Sequence, residues 1–387
     1  MYLTCKIALQ PNKEQEAFFW ECANAARFVY NFSLNLKTEA YKTEGVSLDS
    51  NNITKYITQL KYTEQYKWLN EVPSETIKYA VKDMDNAFKN FFKGKGYPNF
   101  KKKSTTIPSF YTRYDKMHSV DEKHIKICGI KQPVKTYEKC LIPETPRNPR
   151  IKYDGKYWYL TFGVEIAPEN KGIPIIQKKM QIYSGILNKN ITPALGIDLG
   201  ILNTATCSNG VVYKNINKDS EIIRLEKKKK RLQQQVSRKY NMNKKGNKFI
   251  KTQNIKKVEK KIKLVQRRIN NIRNTYINQM TTEIVKTKPS KIVIEDLAVS
   301  NMLKNKYLAN SIQEQKWYEI RRQLEYKSSL YMIKIQVANR FYASSKTCSN
   351  CGYINKTLKL SDRTFKCPKC GLIIDRDCNA SINLSKQ

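Results

Sequence analysis

The spacing of apolar positions changes several times along this chain, and each change marks a region. Residues 2–9 read as a short strand, and Pro11-Asn12 as a helix start. Phe18, Cys22, Ala25, Val29 and Phe32 then recur at steps of four and three. Ile77, Val81, Met84, Phe88 and Phe91 repeat the pattern after Pro73-Ser74. The spacing predicts that residues 12–93 are mostly helical, with both stripes packed in a core. Past residue 105 the period shortens to two. RIKYDGKYWYLTFGVEI (150–166) carries an Asp154-Gly155 turn, and Trp158, Leu160, Phe162 and Val164 share one face. A small β-barrel or sheet is expected there, opened by residues 2–9, since a lone strand needs a partner. Residues 168–192, rich in Pro, Lys and Asn, read as a linker.

TPALGIDLGILNTATCSNGVVYK (192–214) predicts apolar strands broken by tight turns. In 220–285, Ile255, Val258, Ile262, Val265, Ile269 and Ile272 keep a heptad step, and Leu225, Leu232 and Val236 precede them. With Gly246 in a polar connection, this predicts a basic helical hairpin whose arms pack on each other. KIVIEDL (291–297) reads as a buried strand, 311–330 as one amphipathic basic helix, and 332–342 as another strand. DRDCNASINL (375–384) starts a closing helix.

Charge adds the partner class. Lys and Arg number 72 against 33 acids, a formal net charge of +39 spread along the chain. With 40% hydrophobic residues this is a folded protein whose expected partner is a long polyanion, nucleic acid rather than a membrane. There is no apolar stretch of about 18 residues to cross a bilayer. MYLTCKIALQPNKEQ lacks a signal peptide's apolar core, so a cytoplasmic location is expected. In KGKGYPNFKKK (93–103), Lys95, Tyr97, Phe100, Lys101 and Lys102 could track a phosphate backbone while a ring stacks on a base. A solvated basic linker is the alternative.

Ten cysteines fall into two populations. Cys348, Cys351, Cys367 and Cys370 form C-x2-C-x15-C-x2-C, the spacing of a closed, structural Zn²⁺ site. Glycine follows the second ligand of each half, where a turn lets backbone amides point at sulfur. A redox pair is the rival reading. The other six are scattered and read as reduced thiols. The two histidines, His118 and His124, sit in no catalytic-looking context.

Three acids stand at element ends: Asp198 after an apolar strand, Glu295 after IVI, and Asp377 at the start of the final helix. Carboxylates there are costly unless neutralised, and divalent cations do that. Two Mg²⁺ ions on such a set could activate water and stabilise the leaving oxygen of a phosphodiester. Asp377 is preferred over Asp375 as the ligand, because Asn379 can orient the helix start. Lys356, Lys359, Arg363 and Lys366 of the cysteine unit could touch a nucleic-acid strand.

GIDLG, IVIEDL and SSKTCSNCG…FKCPKCG…DRDCNASINL, in that order, resemble the three split RuvC motifs and inserted zinc finger of the TnpB family. These are RNA-guided DNA endonucleases of IS200/IS605-type transposons, related to type V CRISPR effectors. Residues 301–331 also resemble the family segment between the second motif and the zinc finger, and Ala343 stands where that pattern has proline. The resemblance covers about 190–387 closely and 1–190 more loosely. It implies a multidomain α+β protein. An RNase H-like, RuvC-like nuclease domain (191–344 and 372–387) would carry Asp198, Glu295 and Asp377 as ligands of two catalytic Mg²⁺ ions. An inserted four-Cys zinc finger (345–371) would hold one structural Zn²⁺. The remainder would be a helical recognition domain (12–103) and a wedge-like, oligonucleotide-binding-like β-barrel (1–11 and 104–190). The implied partners are a guide RNA from the transposon end and target double-stranded DNA; monomer and dimer stay open. Alternative readings are a miniature type V CRISPR effector, a nuclease-dead RNA-guided repressor, and a transposase that joins strands itself.

Overall fold

The structure, a computed structural model, describes residues 2–387 apart from 166–176, 178–179, 182–183, 187–189 and 360. The chain forms two compact units, Met1–Met180 and Gln181–Gln387.

In the first unit, β1 (Tyr2–Gln10) leads into α1 (Lys13–Glu44), α2 (Ser50–Leu60) and α3 (Ser74–Phe92). Six strands follow: β2 (Ser109–Tyr111), β3 (His118–Asp121), β4 (His124–Lys126), β5 (Val134–Thr136), β6 (Arg147–Tyr153) and β7 (Trp158–Glu165). They make one seven-stranded sheet, β2-β6-β7-β1-β5-β4-β3. Every pairing in it is antiparallel. β1 pairs along its length with β7, from Tyr2↔Glu165 to Leu9↔Trp158. Among the described residues no β2–β3 pairing closes this sheet into a barrel. The alternation in β7 buries Trp158, Leu160, Phe162 and Val164. Asn12 caps α1 in a capping box with Gln15, and Gly45 ends the helix in the left-handed region.

In α1, Cys22, Ala25 and Val29 are buried as their spacing predicts, and the stripe departs from expectation only at its two ends. Phe19 and Leu34 are buried, while Phe18 and Phe32 are half-buried. Phe19 meets Trp158 at 5.2 Å and Phe110 at 5.8 Å, whereas Phe32 faces Tyr66 at 6.0 Å. The helix therefore buries two faces, one on the sheet and one on an aromatic patch, and a single narrow stripe understates it. In α3, Ile77, Val81, Met84 and Phe88 are buried as their spacing predicts, and Phe91 lies exposed. Most of the linker expected at 168–192 lies outside the described residues.

The second unit begins with β8 (Leu195–Asp198), β9 (Asn203–Cys207) and β10 (Val212–Lys214). A helical hairpin follows, α4 (Ser220–Met242) and α5 (Gln253–Lys286), joined through the short strands β11 (Lys244–Lys245) and β12 (Lys248–Phe249). Next come β13 (Lys291–Ile294), α6 (Val299–Met302), α7 (Ala309–Gln315), α8 (Trp317–Leu330) and β14 (Lys334–Val337). β15 (Thr364–Lys366), β16 (Ile373–Asp375) and α9 (Arg376–Ser385) close the chain. The main sheet runs β10-β9-β8-β13-β14. β10, β9 and β8 pair antiparallel, whereas β8, β13 and β14 run parallel. Parallel neighbours need crossovers; the hairpin supplies one, and α6–α8 the other.

One sheet face packs on Ile277, Met280 and Ile284 of α5 and Ile320 and Leu324 of α8. The other face is closed by α9, where Leu384 meets Val293 and Ala338. The hairpin seam buries Ile255, Val258, Val265 and Ile269, and leaves Ile262 and Ile272 half-buried. Residues 311–330 are not one helix. Lys316 breaks them with a left-handed backbone (φ 53°) and reaches Asn274 Oδ1 at 2.8 Å, so α7 ends at Gln315 and α8 starts at Trp317. The strand expected over 332–342 is confined to β14, because Asn339 turns the chain by accepting from the Phe341 N–H at 2.9 Å.

Candidate active site and zinc unit

Strand register places the first two acids. β8 and β13 run parallel with Ile197 opposite Ile294, so the next residues, Asp198 and Glu295, leave adjacent strands at the same sheet edge. The third comes from α9, which lies unusually close to β8. A Cβ on Gly196 would stand 2.0 Å from the Ser381 carbonyl oxygen and 2.5 Å from the Ser385 nitrogen. Glycine is therefore required there for backbone contact, and that contact brings Asp377, in the first helical turn, toward Asp198.

Asp198 is pushed well above the usual carboxylate range, first by burial, then by Glu295 and Asp377; Arg376 opposes the shift and Asp375 adds to it. Glu295 accepts from Ser344 Oγ at 2.5 Å, and Asp377 lies 3.4 Å from Arg376. Such a crowded set of carboxylates fits hard divalent cations, with Asp198, Glu295 and Asp377 as the residues that could hold them. Among the described residues, the cysteines and not these acids form a group tight enough for one ion to reach every member.

Asp375 has a different task. Its carboxylate accepts from the backbone N–H groups of Asp377 at 2.9 Å and Cys378 at 3.0 Å, which makes it the N-cap of α9. It fixes the turn on which Asp377 stands.

The four cysteine sulfurs lie within 4.8 Å of one another, with Cys348–Cys370 at 3.6 Å and Cys351–Cys367 at 3.5 Å. Sulfurs bound tetrahedrally to zinc at about 2.3 Å stand about 3.8 Å apart, so the set fits Zn²⁺. Both knuckles repeat one turn. Gly352 donates to the Cys348 carbonyl and Gly371 to the Cys367 carbonyl, each at 3.0 Å and each with φ 73°. The Leu372 backbone N–H draws the Cys370 thiol down to about 6. At Cys351 the Tyr353 N–H also favours the thiolate, but desolvation and the neighbouring thiols prevail and push it up to about 12. Four adjacent thiols cannot all ionise unaided; a cation among them lets them.

This unit is bolted to α9. Asn379, fully buried, accepts from the Ser349 N–H at 2.9 Å and donates to the Thr347 carbonyl at 2.7 Å. Asn383, one turn on, donates to Ser344 and Thr347 carbonyls at 2.8 and 2.6 Å. Lys386 adds a bond to the Ser349 carbonyl. β15 pairs with β16 from Thr364↔Asp375 to Lys366↔Ile373, so the cysteine hairpin runs directly into the helix. Asn379 orients the helix start as its place in the sequence predicts, and it does so by holding the cysteine unit. Gly196, Ser344 and Asn383 are positioning residues that motif reading missed; Gly196 in GIDLG and the i, i+4 spacing of Asn379 and Asn383 carried a signal for two of them.

The basic candidates divide. Lys95, Tyr97, Phe100, Lys102 and Arg363 are exposed, as are Lys356, Lys359 and Lys366. Tyr97 is seated edge-on to Phe88 and Phe91 and shares a hydrogen bond with Thr38 at 3.1 Å. Lys101 departs from expectation: its ammonium lies over the Tyr30 ring at 3.7 Å, and burial lowers its pKa. Asn31 also clamps its backbone, accepting at 2.7 Å and donating at 3.0 Å. Lys101 anchors the segment inside the first unit.

The chain is 30% identical over 387 residues to "Putative RNA-guided DNA endonuclease" of Streptomyces pristinaespiralis, covering 98% of this chain and 87% of that protein. The chain belongs to the TnpB family. Another TnpB-type relative, "Putative RNA-guided DNA endonuclease InsQ" of Escherichia coli (strain K12), is 28% identical over 396 residues, covering 98% and 90%. Three family profiles match parts of the chain: a helix-turn-helix domain at 1–45, "Probable transposase" (OrfB_IS605) at 185–306, and a Cas12f1-like TNB domain at 317–384. In this TnpB-family chain, residues 1–45 fold as β1 and α1 rather than as two helices about a turn. The fold is shared with a protein in the structure titled "Cryo-EM structure of the Cas12f1-sgRNA-target DNA complex" (TM-score 0.58, 17% identity, covering 97% of this chain and 83% of that one).

Proposed function

We propose that this chain is an RNA-guided DNA endonuclease of a transposable element. Asp198, Glu295 and Asp377 are its cutting site. The observation that carries this reading is the convergence of Asp198 and Glu295 on one sheet edge with Asp377 from α9, in a protein of net charge +39. Family membership and the names borne by its relatives support the RNA-guided activity. We assign the second unit to an RNase H-like, RuvC-like domain, and the first to helical recognition and wedge-like parts.

The three carboxylates would hold two Mg²⁺ ions, which supply an activated water and charge stabilisation at the leaving oxygen. The protein's share is placement. Adjacent parallel strands hold Asp198 and Glu295 in register, and Ser344 orients Glu295 through its hydroxyl. Asp375 caps the turn of Asp377, and the zinc unit fixes where that turn begins. One Zn²⁺ on the four cysteines has a structural role, since four thiolates leave no position for water. Base pairing to a guide RNA from the transposon end would choose the sequence, while the basic surface reads backbone.

Presence of all three acids favours a nuclease over a silent, target-occupying repressor. The test is purification of the complex with its bound RNA, sequencing of that RNA, and incubation with matching double-stranded DNA. Cutting in Mg²⁺ that stops with chelator is expected; an intact, RNA-loaded complex that leaves its matched DNA uncut in Mg²⁺ would refute the reading.

A further inference from the structure

A cavity of about 330 Å³ opens directly beside Glu295. Leu297, Val299 and Trp317 give it an apolar wall, and Tyr318, Arg321 and Arg340 border it. Trp317 is 4% exposed, whereas Tyr318 next to it is 75% exposed, an aromatic face held out in solvent. The two arginines converge on one acid. Arg340 lies 2.5 Å and Arg321 3.7 Å from opposite oxygens of Asp296, the residue after Glu295. Arg321 also donates to Glu325 on its own helix at 2.8 Å, so two guanidiniums meet two carboxylates at the rim. All four side chains are partly exposed, so the pairs are weak and exchangeable.

We propose that this cavity receives one nucleobase of the DNA strand being cut, with Arg321 and Arg340 turning from Asp296 to the phosphates flanking it. This rests on the nuclease reading above and extends it to how the strand is held. A flat aromatic group suits an apolar wall beside an exposed tyrosine, and anions on either side of it suit the paired arginines. A nucleotide joins both features in one ligand. The volume lies at the small end of ligand pockets, the scale of one base rather than of a stacked pair. Seating a base there stops the strand from sliding, and the adjoining phosphodiester stays at Glu295. Because stacking accepts any base, the pocket would fix position without imposing sequence.

Two measurements test this. First, a single-stranded oligothymidylate carrying one 5-iododeoxyuridine is irradiated with the full-length protein in chelator, and the cross-linked peptide is identified. A cross-link within 317–321 is expected, falling about tenfold in Tyr318→Ala but not in Tyr318→Phe, as loss of one base–aromatic contact implies. Cross-links confined to other segments, or unchanged by Tyr318→Ala, would overturn the proposal. Second, the RNA-loaded complex is given targets with a single abasic site walked across the cut region. One position should slow cutting about tenfold, and Tyr318→Ala should lose that sensitivity. Equal cutting at every position would also overturn it. A complex that fails to cut at all bears on the nuclease reading, while the cross-linking result still decides the pocket.

Discussion

The second unit contains two candidate metal centres built on opposite plans. The cysteine site is local: four ligands lie between 348 and 370, and each half repeats the same glycine turn. The acid site is assembled from β8, the end of β13 and α9, elements separated in sequence by the hairpin, α6–α8 and the cysteine unit. The first is closed, with thiols within 4.8 Å of one another; the acids form no group that tight among the described residues. They are coupled through α9. The asparagines that bind the cysteine unit lie on the same helix that carries Asp377 in its first turn and presses on Gly196. The comparison teaches how the closed site would serve the open one: by holding α9 it would fix the position of Asp377, as metal chemistry demands.

The largest effect should come from opening the closed site. Cys348→Ser, or removal of zinc, forfeits a binding free energy of order 10 kcal/mol. Metal content should fall from one zinc per chain to none, and hydrogen exchange across 345–375 should lose its protection. Cutting should fail as well, although Cys348 is not one of the three acids. Cutting that survives loss of zinc would separate the two centres.

Next in size is Gly196→Ala. A Cβ so close to the Ser381 and Ser385 backbones cannot be accommodated without moving α9. The expected cost is about 3 kcal/mol in chemical denaturation, with cutting lowered in parallel. A variant of unchanged stability would mean that α9 does not rest on β8.

Asp375→Ala sharpens the division between capping and ligation. Loss of the cap should cost about 1 kcal/mol and reduce cutting only modestly, whereas Asp377→Ala should abolish cutting. Equal loss in both variants would make Asp375 a ligand too.

The smallest effect is in pH. Burial and then Glu295 and Asp377 raise Asp198. Its folded value therefore exceeds the unfolded one of about 3.9, and the protonated form stabilises the fold below that value. In chelator, that contribution should be lost as pH rises from about 4 through the folded value. Asp198→Asn should flatten this part of a melting-temperature profile, and Mg²⁺ should offset it. A profile identical in the variant would place Asp198 away from its neighbours.

Much of this was legible in sequence. The cysteine spacing names its own partners because ligand pairs and turns are local. Asp198 and Glu295 were readable as acids ending apolar strands, and the heptad of Ile255, Val258, Val265 and Ile269 as a hairpin seam. Long-range placement was not readable. The sequence favours Asp377 over Asp375 as the metal residue, but the capping task of Asp375 shows only in the backbone of α9. Lys101 looked like a phosphate contact within a run of lysines, but the Tyr30 ring that holds it lies on α1. The break at Lys316 carries no glycine or proline to announce it.

The most direct test uses the RNA-loaded complex and matched DNA, wild type beside Asp198→Ala, with binding and cutting measured on the same preparation. The account predicts that binding stays within about twofold while cutting in Mg²⁺ falls by about a thousandfold or more. Cutting by the variant at the wild-type rate would contradict it.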